Sequence, residues 1–287
     1  MIAVVLVGGL GTRLRPLTNS VPKAMLPIAN RPFLERQIDH LTQHGIDRVI
    51  LACGYQPDLI RKHFGDRLEY VVEDEPLGTG GAIAHAANGI TEPFVACNGD
   101  VLTDLDLTAL VAQHRAHAAR ATLALHTVDD PSRYGVVVSE PDGEVTAFVE
   151  KPQGVAPAAT INAGTYVLDP GVLAAVPGGR EVSIEREVFP RLVGDGLFAF
   201  AHDCRWIDIG TPASYLEANL DAIGHESLVD PSASIAAGVE ISRSVVGSGA
   251  HIGAGARVVD SVVLPDGNVP AGAIVENAVV NEQGTVW

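Results

Sequence analysis

An apolar run from Ala3 to Val7 ends in Gly8-Gly9-Leu10-Gly11, and this strand-to-glycine junction restricts the chain more than any other stretch. A run of that kind reads as a short buried strand, and glycines directly after it let backbone N–H groups approach a ligand with no Cβ in the way. Phosphate is the natural guest of such a turn. Arg13, Arg15 and Lys23 follow closely, so an anion held on the amides also meets guanidinium and ammonium groups, a combination suited to a triphosphate. A dinucleotide fingerprint fails here, because its third glycine position is Leu14 and Asn30-Arg31 stands where an acidic ribose ligand belongs. For the glycines taken alone, a purely structural turn is the plain alternative.

The chain then alternates. Pro32 to His44 places Leu34, Ile38 and Leu41 on one helical face and stops at Gly45. The strand IDRVILACGY, a helix over Pro57 to Phe64 closed by Gly65, and the strand LEYVVED come next. Such alternation predicts an α/β fold, a Rossmann-like, mostly parallel sheet with helices on both faces and ligands at the carboxyl ends of its strands. The glycines 78 to 81 are expected as a loop ahead of a helix over Ala82 to Ala87, whose start adds oriented N–H groups. Strand Pro93 to Cys97, helix Leu107 to Ala119 and strand Ala121 to Val128 continue the pattern. From Tyr134 to Pro152 two alternating runs flank Pro141-Asp142-Gly143, which predicts an antiparallel hairpin, expected as a lid over the crevice.

Past Gly224 the texture changes. Val229, Ile235 and Ile241 recur every six residues, as do Val246, Ile252, Val258 and Leu264, then Ile274, Val280 and Val286 after a slip near Pro265 to Pro270. Each short rung buries its aliphatic against the next, and the pattern resembles the hexapeptide-repeat left-handed β-helix. Residues 1–224 and 225–287 are therefore read as two domains. His251 in this coil is read as a solvated corner rather than an acyl-transfer base.

At 287 residues, 47% hydrophobic and 19% charged, the chain is globular. Its formal net charge of −16 argues against nucleic-acid or anionic-membrane partners and leaves few cations to meet a phosphate. Cys53, Cys97 and Cys204 are widely spaced and read as reduced thiols, which points to the cytoplasm. The apolar start lacks a basic flank and is too short for a signal or a span.

The whole string from Gly8 to Lys23, G-G-x-G-T-R-L-x-P-L-T-x-x-x-P-K, is far more specific than its glycines and resembles the signature of the sugar-nucleotide pyrophosphorylases. Leu77-Gly78-Thr79 looks like that family's base-recognition element, Asn98-Gly99-Asp100-Val101-Leu102 its metal-binding element, and Trp206-Ile207-Asp208-Ile209-Gly210-Thr211-Pro212 its second metal element. Tyr134-Gly135, Glu150-Lys151-Pro152 and Asn162-Ala163-Gly164 match its sugar and sugar-phosphate elements. The segment Val176 to Val193 is similar to the members that use GTP and mannose 1-phosphate.

The resemblance implies nucleotidyl transfer from a nucleoside triphosphate to a sugar 1-phosphate. Gly8, Gly9, Gly11 and Thr12 would cradle phosphates, and Gly78 and Thr79 the base. Arg13 would hold the leaving phosphates and Lys23 the α-phosphate, with Arg15 secondary. Asp100 and Asp208 would bind Mg2+, while Gly135, Glu150, Lys151, Asn162 and Gly164 would hold the sugar phosphate. Family members that use uridine or thymidine triphosphate carry Gln where this chain has Glu73. An amide offers a donor and an acceptor to a pyrimidine edge, whereas a carboxylate only accepts, which suits the adjacent N1–H and N2–H2 of guanine. GTP and mannose 1-phosphate are therefore the expected substrates. Alternatives are a thymidylyl- or uridylyltransferase for glucose 1-phosphate, a guanylyltransferase for a heptose 1-phosphate, an acyltransferase using the C-terminal coil, or a non-catalytic nucleotide-sugar-binding regulator. The β-helix is expected to make a homo-oligomer.

Overall fold

The apolar runs become strands in the predicted order. The computed structural model describes residues 1–286 except 10, 20, 55–56 and 153–157, so Leu10 of the glycine turn and Tyr55 of the second expected strand lie outside the described residues. Those described form two compact units, each discontinuous in sequence: Met1–Gly9 with Gln37–Trp206, and Leu10–Arg36 with Ile207–Trp287.

In the first unit, nine strands among the described residues form one mixed sheet: β1 (Ile2–Leu6), β2 (Arg48–Cys53), β3 (Glu69–Val72), β4 (Phe94–Asn98), β5 (Ala121–Val128), β6 (Gly135–Ser139), β7 (Val145–Glu150), β8 (Ala159–Leu168) and β9 (Leu197–Ala201). Their order is β7-β6-β8-β4-β1-β2-β3, with β5 pairing β8 and β9 off that path. The block β3-β2-β1-β4 is parallel. Its inner strands are buried almost end to end, as the unbroken apolar runs of a covered parallel sheet require.

Helix α1 (Phe33–Gln43) carries the chain from the second unit into the first and ends at Gly45, whose φ of +79° stops it. The peptide N–H of Ile46 reaches back to the Leu41 carbonyl to close that end. Helix α2 (Pro57–Phe64) lies between β2 and β3 in the chain, as expected. Helix α3 (Gly78–Ala86) packs on β1 and β2, and α4 (Leu107–Ala116) on β5, β8 and β9. The latter stops short of Ala119 because Ala118 takes φ +44°, which a right-handed helix cannot continue through.

The hairpin β6–β7 is present, but it is no lid. Strand β8 gives only Thr165–Leu168 to β4, and the amide edge of its N-terminal half is met by β6 at Ile161 opposite Val136. Backbone groups on that half of β8 need partners, so the hairpin extends the central sheet instead of standing over it.

In the second unit, α5 (Pro212–Ile223) starts on a capping box in which the Thr211 hydroxyl accepts from Ser214 N–H and the Ser214 hydroxyl accepts from Thr211 N–H. Its buried side chains hold the segment before α1: Tyr215 Oη donates to the Pro27 carbonyl at 2.6 Å, and Asn219 Oδ1 accepts from Ala29 N–H at 2.9 Å. Asn30 Nδ2 in turn donates to the Val246 carbonyl.

A parallel β-helix follows α5. Each rung pairs with the rung seventeen residues later, Leu228 with Val245, Val245 with Val262 and Val262 with Val279. The inward row runs Val246, Ile252, Val258, Val263, Val269, Val275, Val280. Steps of six, six and five residues thus replace the uniform six, and the slip expected once near Pro265 recurs in every turn. Its cause is a tight corner at Arg243, Asp260 and Asn277, all with positive φ. The buried Ser244 and Ser261 follow, and their hydroxyls accept from the peptide N–H of Ser261 and Ala278. Leu264 is consequently only half-buried and Ile274 is 70% exposed, so neither belongs to the inward row.

The three cysteines are free. Burial pushes the thiol of Cys53 up to about 11 and that of Cys97 up to about 12, which makes them inert packing groups. No helix among the described residues is long and apolar enough to cross a membrane.

The inward row yields a stability contrast. Val263→Ala should cost about 2 kcal/mol by opening space in the coil, whereas Ile274→Ala should change stability by less than about 0.5 kcal/mol. Urea midpoints of the two variants measure the difference, and a larger loss at Ile274 would restore the uniform six-residue row.

Candidate active site

In the first unit the predicted residues gather where parallel strands end. Gly8 and Gly9 follow β1 and are exposed, and a Cβ on Gly9 would meet nothing within 4 Å, which leaves its backbone accessible. Gly99 follows β4 and donates its N–H to the Leu6 carbonyl at 2.8 Å, tying the start of the expected metal-binding element to the end of β1. Asp100 comes next and is half-buried.

Glu73 directly follows β3. Its Oε2 accepts the Leu77 N–H at 2.9 Å, which holds the carboxylate in one orientation. Together with Leu77, Gly81, His85 and Arg180 it lines a cavity of about 500 Å3.

The glycines after Leu77 differ from expectation. They form the first turn of α3, which begins at Gly78 and not at Ala82. Gly78 has φ +69°, and a Cβ there would sit 2.6 Å from the Val182 carbonyl oxygen. The N–H groups of Gly80 and Gly81 both point to that carbonyl, at 2.8 and 3.3 Å, and Val182 N–H returns a bond to Leu77. The close approach that glycine allows is thus spent on the segment 182–184, and those two helix-start amides are not available to a ligand. Thr79 is locked as well: its hydroxyl donates to Glu185 Oε2 at 2.7 Å and accepts from Ile184 N–H at 3.0 Å.

The sugar-side candidates meet across the hairpin. Gly135 on β6 is paired directly with Glu150 on β7. A Cβ on Gly135 would lie 2.8 Å from Glu150 Oε2 and 2.7 Å from the Phe148 ring, so only glycine leaves room for that carboxylate. Glu150 keeps 14% of its side-chain exposure and has Lys151 Nζ 3.5 Å from Oε1. Burial raises its pKa, the neighbouring Glu185 charge raises it further, and Lys151 and Arg186 oppose both. Lys151 takes φ +49°, and its N–H donates to the Tyr134 carbonyl.

Asn162 is 9% exposed and spends half of its hydrogen-bonding capacity internally. Nδ2 donates to Tyr166 Oη and Oδ1 accepts from Gly164 N–H, each at 3.0 Å. These bonds shape the bulge at which β8 changes partners, with Gly164 at φ +77°. Trp206 Nε1 donates to the Ala163 carbonyl in the same bulge, and its ring stacks on His126 and meets the edge of Tyr134.

The second unit holds the cationic candidates. Gly11, at φ +58°, accepts from the buried Thr18 hydroxyl at its carbonyl and precedes a 3-10 turn, Thr12–Leu14. Thr12, Arg13 and Arg15 are exposed on that turn or just after it. Lys23 opens a second 3-10 turn, Lys23–Met25, with its Cβ 3.3 Å from the Cβ position of Gly11. Asp208 ends a short strand, Trp206–Asp208, and its carbonyl accepts from Gly210 N–H. The α5 bonds to Pro27 and Ala29 brace the segment that carries Lys23 and the segment that carries Asp208 within the same unit.

Sequence reasoning missed Glu185 and Asn219. Glu185 is the second residue of a π-helix, Ile184–Val188, capped by the Ser183 hydroxyl; the residues Ser183 to Arg186 read as a helix entry but gave no sign of its contact with Thr79. Asn219 did leave a signal, a polar residue on the apolar face of α5 beside Tyr215 and Leu216.

No group of three or more acidic, His or Cys side chains able to hold a metal occurs among the described residues. Mg2+ does not require one, since it binds through one or two carboxylates and keeps water or phosphate oxygens for its other positions. The hard oxygen donors of Asp100 and Asp208 fit it in kind.

Similarity to known proteins follows the same residues. The nucleotidyl transferase family model matches residues 2–224, and a GlmU-like C-terminal hexapeptide model matches residues 212–287. Mannose-1-phosphate guanylyltransferase of Mycobacterium tuberculosis (strain ATCC 25618 / H37Rv) is 42% identical over 85% of this chain and 74% of its own length. Mannose-1-phosphate guanylyltransferase 1 of Arabidopsis thaliana is 40% identical over 85% and 76%. Among solved structures, HddC from Yersinia pseudotuberculosis superposes with a TM-score of 0.67 at 32% identity, covering 77% of this chain and 99% of its own, and it has also been solved in complex with GMP-PN.

The crowding at Gly135 can be tested directly. Gly135→Ala should lower stability by about 1–3 kcal/mol, because the buried Phe148 ring must shift to admit the added methyl group. Chemical denaturation reads the loss, and an unchanged midpoint would mean that the ring moves freely.

Proposed function

The chain belongs to the nucleotidyl transferase family, and from that premise we propose that it transfers the guanylyl group of GTP to mannose 1-phosphate, giving GDP-mannose and pyrophosphate. The observation that carries the choice of base is Glu73. Its carboxylate is held by the Leu77 amide and presents acceptors only, which matches the two donors of guanine and opposes an acceptor to O4 of uracil or thymine. The names of the M. tuberculosis and A. thaliana relatives, and the GMP-PN complex of HddC, agree with that choice.

In this reaction a phosphate oxygen of the sugar 1-phosphate forms a bond to the α-phosphorus of GTP. The bond from that phosphorus to the bridging oxygen breaks, and pyrophosphate leaves with the electron pair. The nucleophile is already ionised near neutral pH, so no general base is needed, and the task of the protein is to let two anions meet in line. Arg13 is assigned to the β- and γ-phosphates and Lys23 to the α-phosphate, where charge builds. Asp100 and Asp208 are assigned to Mg2+, which supplies charge neutralisation to the phosphates when bound. Glu150 accepts from sugar hydroxyls, and Lys151 sets a point charge toward the sugar phosphate. The remaining amide N–H and lone pair of Asn162 are left for the sugar. Residues 1–224 carry the chemistry, and residues 225–287 are assigned to self-association.

A matrix of GTP, UTP and dTTP against mannose, glucose and heptose 1-phosphates, read by pyrophosphate release, should peak at GTP with mannose 1-phosphate. In that assay Lys23→Ala and Asp208→Asn should each lower kcat by about 100-fold or more with the fold intact by circular dichroism. Near-normal turnover in either variant, or release with no triphosphate, rejects the assignment.

Glu73→Gln isolates the base. It should narrow the GTP preference over UTP and dTTP by about tenfold or more, because one acceptor becomes a donor facing guanine. Unchanged selectivity would remove Glu73 from base reading.

A further inference from the structure

Glu185 stands outside every motif that assigns a role, yet it bonds Thr79 of the proposed base-recognition element. Its Oε2 accepts two hydroxyl donors at 2.7 Å each, Thr79 Oγ1 on the first turn of α3 and Ser183 Oγ at the π-helix cap. Because Thr79 Oγ1 also accepts from Ile184 N–H, that hydroxyl has a single orientation. Beside it, the Val182 carbonyl takes the N–H groups of Gly80 and Gly81. The segment 182–185 is therefore the backing against which residues 77–81 are fixed.

The same segment runs into the sugar side. Phe189, just past the π-helix, packs against Phe148 of β7 and Tyr166 of β8. The Glu185 carboxylate is the leading charged neighbour of Glu150, with Lys151 and Arg186 opposing it. It is also the leading charged neighbour of the buried Tyr166 hydroxyl, which accepts from Asn162 and lies in the fields of Glu150 and Asp100.

We propose that Glu185 is a positioning residue for the nucleotide: its Oε2, shared by the Thr79 and Ser183 hydroxyls, fixes the first turn of α3 against the segment 182–185. This rests on the guanylyl-transfer reading for the identity of the nucleotide, but the side-chain links themselves do not depend on it. Glu185→Gln keeps an oxygen that accepts from Thr79 and Ser183, and Glu185→Ala removes it.

The test compares the wild-type protein with Glu185→Gln, Glu185→Ala, Thr79→Val and the double variant Thr79→Val/Glu185→Ala. Steady-state pyrophosphate release from GTP and mannose 1-phosphate is measured. Glu185→Ala should raise the KM for GTP about tenfold or more, whereas Glu185→Gln should stay within about threefold. The double variant should be no worse than the worse single one, since both remove the same link. The kcat should change less than KM in every variant, because the link holds the nucleotide element and not the reacting atoms.

Calorimetric binding of GTP alone ranks the same variants without turnover. Wild-type protein that binds GTP but is inactive on every substrate pair would overturn the guanylyl-transfer reading, while the binding series still decides the role of Glu185. The proposal itself is overturned by a Gln variant as poor toward GTP as the Ala variant, or by additive losses in the double variant.

Discussion

Parallel pairing across β3-β2-β1-β4 is the constraint from which the first unit follows. Register places Leu6 beside Ala52 and Asn98, and Cys53 beside Val72, so these strands finish along one edge. Gly8, Glu73 and the Asn98-Gly99-Asp100 turn then lie along that edge because of backbone hydrogen bonding, whatever their separation in the chain. Parallel ladders of this kind are stable only when buried, which is why their residues are apolar almost throughout and why polar chemistry is confined to the loops at their ends.

Glycine serves this architecture in two ways. At Gly9 it leaves the backbone open, the use that a phosphate turn needs. At Gly78 it lets one piece of protein come against another, because the Val182 carbonyl occupies the space of a side chain. That second use converts the start of α3 from a free anion-binding terminus into a platform braced on the segment 182–185.

Charge is distributed to the same end. A chain of net charge −16 that handles two phosphorylated reactants needs its positive groups in particular places. Arg13 and Lys23 sit on two short 3-10 turns, and the second of these is braced by Tyr215 and Asn219 through the bonds to Pro27 and Ala29. In the first unit burial, with the charges of Glu185, Glu150 and Asp100, raises the pKa of the Tyr166 hydroxyl well above its ordinary value.

The strand–helix alternation, the hairpin and the coil were legible in the residues, since burial on one face or two leaves a periodic trace that local sequence carries by itself. The motif residues proposed for the site, from Gly8 through Asp208, stand out in the sequence as well, because turns after strands demand particular residue types. What only the tertiary structure decided are the relations that sequence distance hides. A left-handed corner shortens each coil to seventeen residues, Val182 claims the amides of Gly80 and Gly81, β8 recruits the hairpin into the sheet, and Glu185 reaches Thr79. The last three are contacts between segments separated in the chain, where the need to satisfy a backbone group or a carboxylate selects the partner. No local pattern encodes that selection, because the satisfied group and its partner contribute nothing to each other until the chain is folded.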